Sequence, residues 1–197
     1  MIGNTNSDRW RTIDIVVASV IAVAFGVIFW AWGFLWAATE GAFAFFPPAQ
    51  SVIYGVWLVP GALGGLVIRK PGAAFYCEFL AAFVSVLLGS QWGTVAILQG
   101  AVQGLGAELG FAAFRYHSFR LPAALLSGLF AGLAAAIFDQ ARYYVTLDLW
   151  SARVPIFVLT VLSATVIAGA GGYALTGALA RTGVLDRFPA GRDRALV

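Results

Sequence analysis

Six apolar stretches, each close to or above the length needed to cross a bilayer, follow one another along this chain at residues 12–37, 50–68, 71–88, 93–115, 120–145 and 153–180. About 20 predominantly apolar residues suffice to cross a hydrocarbon core of about 30 Å. A chain inside lipid must pair every backbone N–H and C=O internally, so it spans as helices or as a closed barrel. The alternating ten-residue pattern of a barrel strand is absent. The expected fold is therefore all-α: one integral membrane domain over residues 1–197, with six transmembrane helices. Composition agrees, since 61% of the residues are hydrophobic and only 11% charged, against roughly 25% charged in a soluble domain. Arg9 and Arg11 precede the first stretch as they would a signal peptide. That stretch outruns a signal core of roughly 7–15 residues, so it is read as a retained helix.

The breaks between stretches carry their own physics. Pro47-Pro48 cannot continue a helix leaving the first loop, because proline lacks an N–H and forces its predecessor toward extended geometry. Arg69-Lys70-Pro71-Gly72, Gly89 to Gly93, Arg115 to Arg120 and Asp148 to Arg153 form the other turns. With the N-terminus inside, the inner segments hold Arg9, Arg11, Arg69, Lys70, Arg115, Arg120, Arg181, Arg187, Arg192 and Arg194, leaving only Arg142 and Arg153 toward the outside. This asymmetry predicts both termini in the cytoplasm of a multi-pass plasma-membrane protein. Trp32, Trp36, Trp92 and Trp150 fall at the outer interface, where aromatic rings anchor. The net charge of +3 is thus explained by topology, and no nucleic-acid partner is expected.

Small residues recur every fourth position: Ala18, Ala22 and Gly26; Gly61 and Gly65; Gly100 and Gly104; Gly106 and Gly110; Gly128 and Gly132. Such spacing lets helix backbones approach closely in lipid. Packing within the chain is the expectation for most. For the first helix, whose other faces are large and apolar, Ala18, Ala22 and Gly26 are expected to dock a partner membrane protein.

Charged and amide groups inside a membrane are costly and need a reason. Glu78 and Glu108 lie at similar depth toward the inner side, Gln99 and Gln103 stand one turn apart, and Asp139 lies in the outer half of the fifth helix. Two readings of Asp139 stand: an ion pair with Arg142 three residues on, or a carboxylate meeting a ligand that enters from outside. Glu78, Glu108, Gln99 and Gln103 are likewise open between helix-helix hydrogen bonds and ligand contact. Tyr54, Trp57, Trp92, Tyr143 and Tyr144 cluster toward the outer side. With Asp139 and the glutamines they would wall a pocket for a flat, polar, cationic ring, held by stacking and cation–π contacts.

Several chemistries are excluded. No glycine-lysine phosphate loop is present, so the chain does not itself hydrolyse ATP. His117 is the single histidine and sits in a turn, which rules out a histidine metal site or a catalytic triad. Cys77 is the single cysteine and makes no disulfide within the chain. No cofactor and no catalytic residue are expected.

The strings Tyr54-Gly55-Val56-Trp57, Ile68-Arg69-Lys70-Pro71-Gly72-Ala73-Ala74, Val102-Gln103-Gly104-Leu105-Gly106-Ala107-Glu108 and Thr182-Gly183-Val184-Leu185, with Glu78, resemble the YkoE family from about Trp10 to Leu185. That family comprises S components, the substrate-binding subunits of energy-coupling factor (ECF) vitamin transporters. The resemblance implies a six-helix S component that binds thiamine or its hydroxymethylpyrimidine precursor in an outer pocket closed by loops. It further implies a transmembrane coupling protein and two ATP-binding cassette ATPases as partners, with the small-residue stripe of the first helix as the docking face. The family tends to carry a glutamate near the outer end of helix 3, where this chain has Ser85, and Asp139 is the candidate substitute. An S component for another vitamin and a ligand-free six-helix scaffold are the competing readings.

Overall fold

The computed structural model describes residues 9–192. Arg194 and the side chain of Arg192, counted above among the inner basic residues, lie outside what it describes. The described residues form helices and turns with no strand. The order is α1 (Thr12–Thr39), a 3₁₀ turn (Glu40–Phe43), a 3₁₀ run (Pro47–Leu58), α2 (Val59–Ile68), α3 (Ala73–Leu87), α4 (Val95–Ala112) and α5 (Leu121–Arg142). A π turn (Leu149–Arg153), α6 (Val154–Ser163), a π segment (Ala164–Gly171), α7 (Gly172–Arg181) and the short α8 (Pro189–Arg192) complete it.

Among the described residues, five continuous helical segments are long and apolar enough to cross a membrane: Thr12–Phe43, Pro47–Ile68, Val95–Ala112, Leu121–Arg142 and Leu149–Arg181. The third expected span, residues 71–88, is realised as α3, an apolar helix of 15 residues. At about 1.5 Å per residue it rises roughly 22 Å, short of a full hydrocarbon core. Its ends are set by Gly72 and Gly89, both at positive φ (87° and 85°), a conformation that costs glycine nothing.

The second span differs from a plain helix. Its first 12 residues are 3₁₀, a long run for that geometry. Pro47 and Pro48 have no N–H to give, and the Gly55 N–H bonds the Ser163 hydroxyl at 2.8 Å, across to the end of α6. That hydroxyl in turn donates to the Val52 carbonyl at 2.7 Å, pinning the run to α6. The α2 helix that follows is buried at every residue and forms the axis about which the others pack.

Small residues set the packing. On α4, Gly100 and Gly104 face α3, while Gly106 and Gly110 face α5. A Cβ at Gly106 would come 2.5 Å from the Phe130 carbonyl oxygen, so only glycine admits this approach. On α5, Gly128 and Gly132 receive the π segment at Ala164. The stripe on α1 corrects an expectation. Ala18 and Ala22 are fully buried, and a Cβ at Gly26 would lie 2.5 Å from Val84 Cγ1 of α3. These three residues close the α1–α3 contact and offer no free face to a partner. The face that α1 leaves exposed carries Val16, Val20, Val23 and Val27, side chains suited to lipid.

At the end bearing the basic turns, the chain before α1 is fastened to the α2–α3 turn. Asp14, fully buried, receives Lys70 Nζ at 2.6 Å and Arg11 at 3.0 Å. Trp10 Nε1 donates to the Pro71 carbonyl at 3.0 Å.

A candidate binding cavity at the tryptophan end

The 3₁₀ run is what aims the first wall of the site. With three residues per turn, side chains at i and i+3 eclipse one another. Ser51, Tyr54 and Trp57 therefore stand in one column, and all three line a cavity of about 340 Å³. In an α-helix the same three would fan round by about 60° per step. Helix α4 contributes Ala96, Gln99 and Gln103, spaced three and four apart on a single face. Helix α5 ends with Asp139 in its last turns, and Tyr143 and Tyr144 follow it into the wall. Phe29 and Trp36 of α1, Ala82 and Ser85 of α3, and Ser90 and Trp92 of the α3–α4 loop complete the sides.

A small hydrogen-bond network fixes the polar part. Gln99 Nε2 donates to Asp139 Oδ1 at 2.7 Å and to Tyr54 Oη at 2.8 Å. Gln103 Nε2 donates to the same phenol oxygen at 3.1 Å. Both acceptor sites of Tyr54 are then filled, so its single proton is directed to Asp139. Every donor reaching Asp139 is neutral. Arg142 does not pair with it: that guanidinium is exposed, with Cζ 5.6 Å from the Tyr143 ring centroid. Asp139 itself is 4% exposed, and among the described residues no lysine, arginine or histidine lines the cavity.

The aromatic wall is a linked set of rings. Trp57 packs against Trp36 at 5.1 Å, Tyr54 at 5.5 Å and Trp92 at 6.1 Å between centroids. Trp92 continues to Tyr143 at 6.2 Å. The hydroxyl of Tyr143 is buried without a hydrogen-bond partner. An unmet buried hydroxyl in a cavity wall is a ready contact for a polar group on a ligand. Ser85, at the position singled out on α3, is in the wall, but its hydroxyl bonds back to the Ala82 carbonyl at 2.8 Å.

Seven of the nine residues expected at the site meet here: Tyr54, Trp57, Trp92, Gln99, Gln103, Asp139 and Tyr143. Glu78 and Glu108 do not line the cavity, which corrects their inclusion. Glu78 Oε2 accepts the Gly61 N–H in the first turn of α2 at 2.8 Å. Glu108 accepts the Gly72, Ala74 and Phe75 N–H groups at the start of α3 at 2.6, 3.0 and 3.1 Å, and the Tyr116 hydroxyl at 2.8 Å. Glu108 satisfies N-terminal donors of α3 that have no partner within their own helix, whereas Glu78 takes one N–H where the 3₁₀ run passes into α2 and keeps its Oε1 buried without a partner. Trp36 and Phe29 were missed as wall residues. Trp36 reads in sequence as an interfacial anchor, and only the packing of α1 beside the 3₁₀ run turns its ring inward.

Comparison with known proteins agrees with this architecture. The family described as ABC-type cobalt transport system, permease component, matches residues 13–134. A protein of Bacillus subtilis (strain 168), provisionally named an HMP/thiamine permease protein, YkoE, is 34% identical over 189 residues, covering 93% of this chain and 92% of the relative. A crystal structure of an S component of an ECF transporter superimposes with a TM-score of 0.87 at 34% identity, covering 95% of this chain and 94% of that one. This chain belongs to the YkoE family of ECF-transporter S components. As an S component it is a multi-pass membrane transport protein, and its relatives are permease subunits rather than enzymes. The cavity lies at the end of the S component that carries the tryptophans, away from the basic turns.

Proposed function

We propose that this S component captures thiamine, or its hydroxymethylpyrimidine precursor, on the outer side of the plasma membrane. It hands the ligand to a transmembrane coupling protein driven by two ATP-binding cassette ATPases. In this reading α3 is a short sixth span, both termini are cytoplasmic, and the tryptophan end faces outward. The distribution of arginine and lysine supports that orientation. The name of the Bacillus subtilis relative supports the choice of ligand.

The observation that carries the reading is Asp139: a buried carboxylate with only neutral donors, set in a wall of tryptophan and tyrosine. A cavity of about 340 Å³ falls within the range of small-molecule sites, roughly 300–1,000 Å³. Thiamine offers two flat rings, a cationic thiazolium and an amino group, each with a counterpart in that wall. The match to a cobalt permease family raises a metal as a different cargo. One carboxylate, three glutamine amides and a ring of aromatics suit an organic heterocycle better than a divalent metal, which seeks several charged oxygen, nitrogen or sulfur ligands at once. Among the described residues no three histidine, cysteine, aspartate or glutamate side chains gather as such a site would require.

Thermal unfolding of the detergent-purified S component with thiamine, hydroxymethylpyrimidine, riboflavin, biotin and Co²⁺ tests the reading. Ligand at a hundredfold excess over its dissociation constant stabilises the folded state by about 2.7 kcal/mol. A shift confined to thiamine or the pyrimidine supports the proposal. A shift with another vitamin or with Co²⁺ would replace the ligand, and no shift with any of them would favour a ligand-free scaffold.

A further inference from the structure

Ser163, the last residue of α6, lines no part of the cavity. Its hydroxyl nevertheless takes both polar groups of the turn that carries Tyr54. It accepts the Gly55 N–H at 2.8 Å and donates to the Val52 carbonyl at 2.7 Å. Val52 and Gly55 stand as the acceptor and donor that one 3₁₀ turn pairs with each other. We propose that Ser163 is a positioning residue for ligand binding. By bridging this turn from outside, it holds Pro47–Leu58 in the 3₁₀ form that binds, and without it the run relaxes to an α-helix that does not. The inference places a determinant of affinity outside the cavity, and it rests on the reading of that cavity as the ligand site.

The bridge stands on a fixed point. Ala164, the next residue, is fully buried against α5, and a Cβ at Gly132 would lie 2.7 Å from the Ala164 Cβ. Gly132 and Asp139 share one face of α5, about two turns apart. Helix α5 therefore locates α6 through Ala164, and α6 locates the 3₁₀ run through Ser163. The run brings Tyr54 back to Asp139, where Gln99 and Gln103 close on the same phenol. Ser163 is buried, and the groups it holds cannot turn to water inside an apolar bundle. With the hydroxyl gone, the run must pair them itself. The α form does so, turning the Gly55 N–H to the Ser51 carbonyl and the Val52 carbonyl to the Val56 N–H. A 3₁₀ run of 12 residues rises about 24 Å, and an α-helix of that length about 18 Å. The change shortens the run and turns Trp57 by about 60° relative to Tyr54. Hydrogen bonding lost with the hydroxyl is recovered within the helix, so the loss falls on the site.

The test combines fluorine NMR of the full-length purified protein, labelled with fluorotryptophan, with titration calorimetry against thiamine and hydroxymethylpyrimidine. The Trp57 line is assigned with Trp57→Phe, and Trp10, at the opposite end of the bundle, serves as the internal control. In Ser163→Ala the Trp57 line should move with no ligand present while the Trp10 line stays. Thiamine should bind that variant at least about tenfold more weakly. Ser163→Thr, which restores the hydroxyl, should return both the line and the affinity to those of the unaltered protein. A Trp57 line that stays in place in Ser163→Ala would overturn the inference, as would an unchanged affinity beside a moved line. Trp57 and Trp10 lines that move together would also overturn it, since they mark a general loosening of the bundle. If Ser163→Ala does not fold, Ser163→Cys, similar in shape but a weak donor and acceptor, carries the same comparison. If the unaltered protein binds neither compound, the thiamine-type reading falls, and the Trp57 line alone decides the positioning role.

Discussion

Asp139 and the pair Glu78 and Glu108 are all carboxylates within the helical bundle, yet the fold uses them in opposite ways. Glu108 accepts three backbone N–H groups and the Tyr116 hydroxyl, and Glu78 accepts the Gly61 N–H. Glu108 stands at the start of α3, where unpaired donors and the helix dipole favour negative charge, and Glu78 meets the backbone where the 3₁₀ run passes into α2. These donors belong to the backbone and cannot be released without unwinding a turn. Asp139 is held instead by one side-chain amide, that of Gln99, and a phenol around an open cavity. Its partners are neutral and the space beside it is empty, so a ligand can complete the site without disturbing any helix. Carboxylates capping a helix contribute to stability, whereas one held only by neutral side chains over a cavity is available for recognition.

Four substitutions would break or sharpen that contrast. The largest effect is expected from Glu108→Ala, which strands three N–H groups of α3 and the Tyr116 hydroxyl. A loss of about 3 kcal/mol or more follows if several buried donors each cost about 1–3 kcal/mol, read as thermal unfolding in detergent. The folded fraction should keep its ligand affinity, and a variant that loses affinity while keeping its melting temperature would contradict the division. Asp139→Ala should do the reverse. Its unfolding temperature should stay level or rise, since a costly buried charge is gone, while thiamine affinity falls by about a hundredfold, or roughly 2.7 kcal/mol, in calorimetry. Trp57→Ala removes the central ring of the wall and should weaken thiamine binding about tenfold with a moderate loss of stability. Tyr116→Phe removes one hydrogen bond from Glu108 and should cost about 1 kcal/mol of stability, with no change in affinity. The Tyr116 hydroxyl is pushed up to about 12 by burial and by its bond to Glu108, so the loss should be the same across the neutral pH range.

Much of the fold was legible from residues. Among the described residues, five of the six apolar stretches correspond to helical segments long and apolar enough to cross a membrane and the other to the shorter α3, and the positions of Pro47, Gly72, Gly89 and Pro122 fall at the breaks. These signals are local: apolar length, missing N–H groups and positive φ act within a few residues of one another. Seven candidate site residues also met in one cavity, because polar and aromatic groups in an apolar chain are rare enough to stand out. Two readings went astray for a common reason. The small stripe on α1 looked outward-facing and proved to be the α1–α3 contact, and Glu78 and Glu108 looked like site groups and proved to hold backbone N–H groups of neighbouring elements. Which neighbour a side chain meets is a matter of helix arrangement, and spacing along a single helix carries no record of it.

The sequence by itself determined that this chain lives in a membrane as helices, since only helices or a closed barrel pair the backbone in lipid and the alternation of barrel strands is absent. It also marked the few polar groups that had to be explained. Only the tertiary structure decided how each was explained. The 3₁₀ geometry that columns Ser51, Tyr54 and Trp57 depends on Ser163, more than 100 residues away, taking the Gly55 N–H. The freedom of Asp139 from Arg142 depends on Gln99 reaching across from α4. Hydrogen bonds between helices have no local signature, so the same carboxylate three residues from an arginine could have been a closed ion pair, and the packing made it the open side of a binding site.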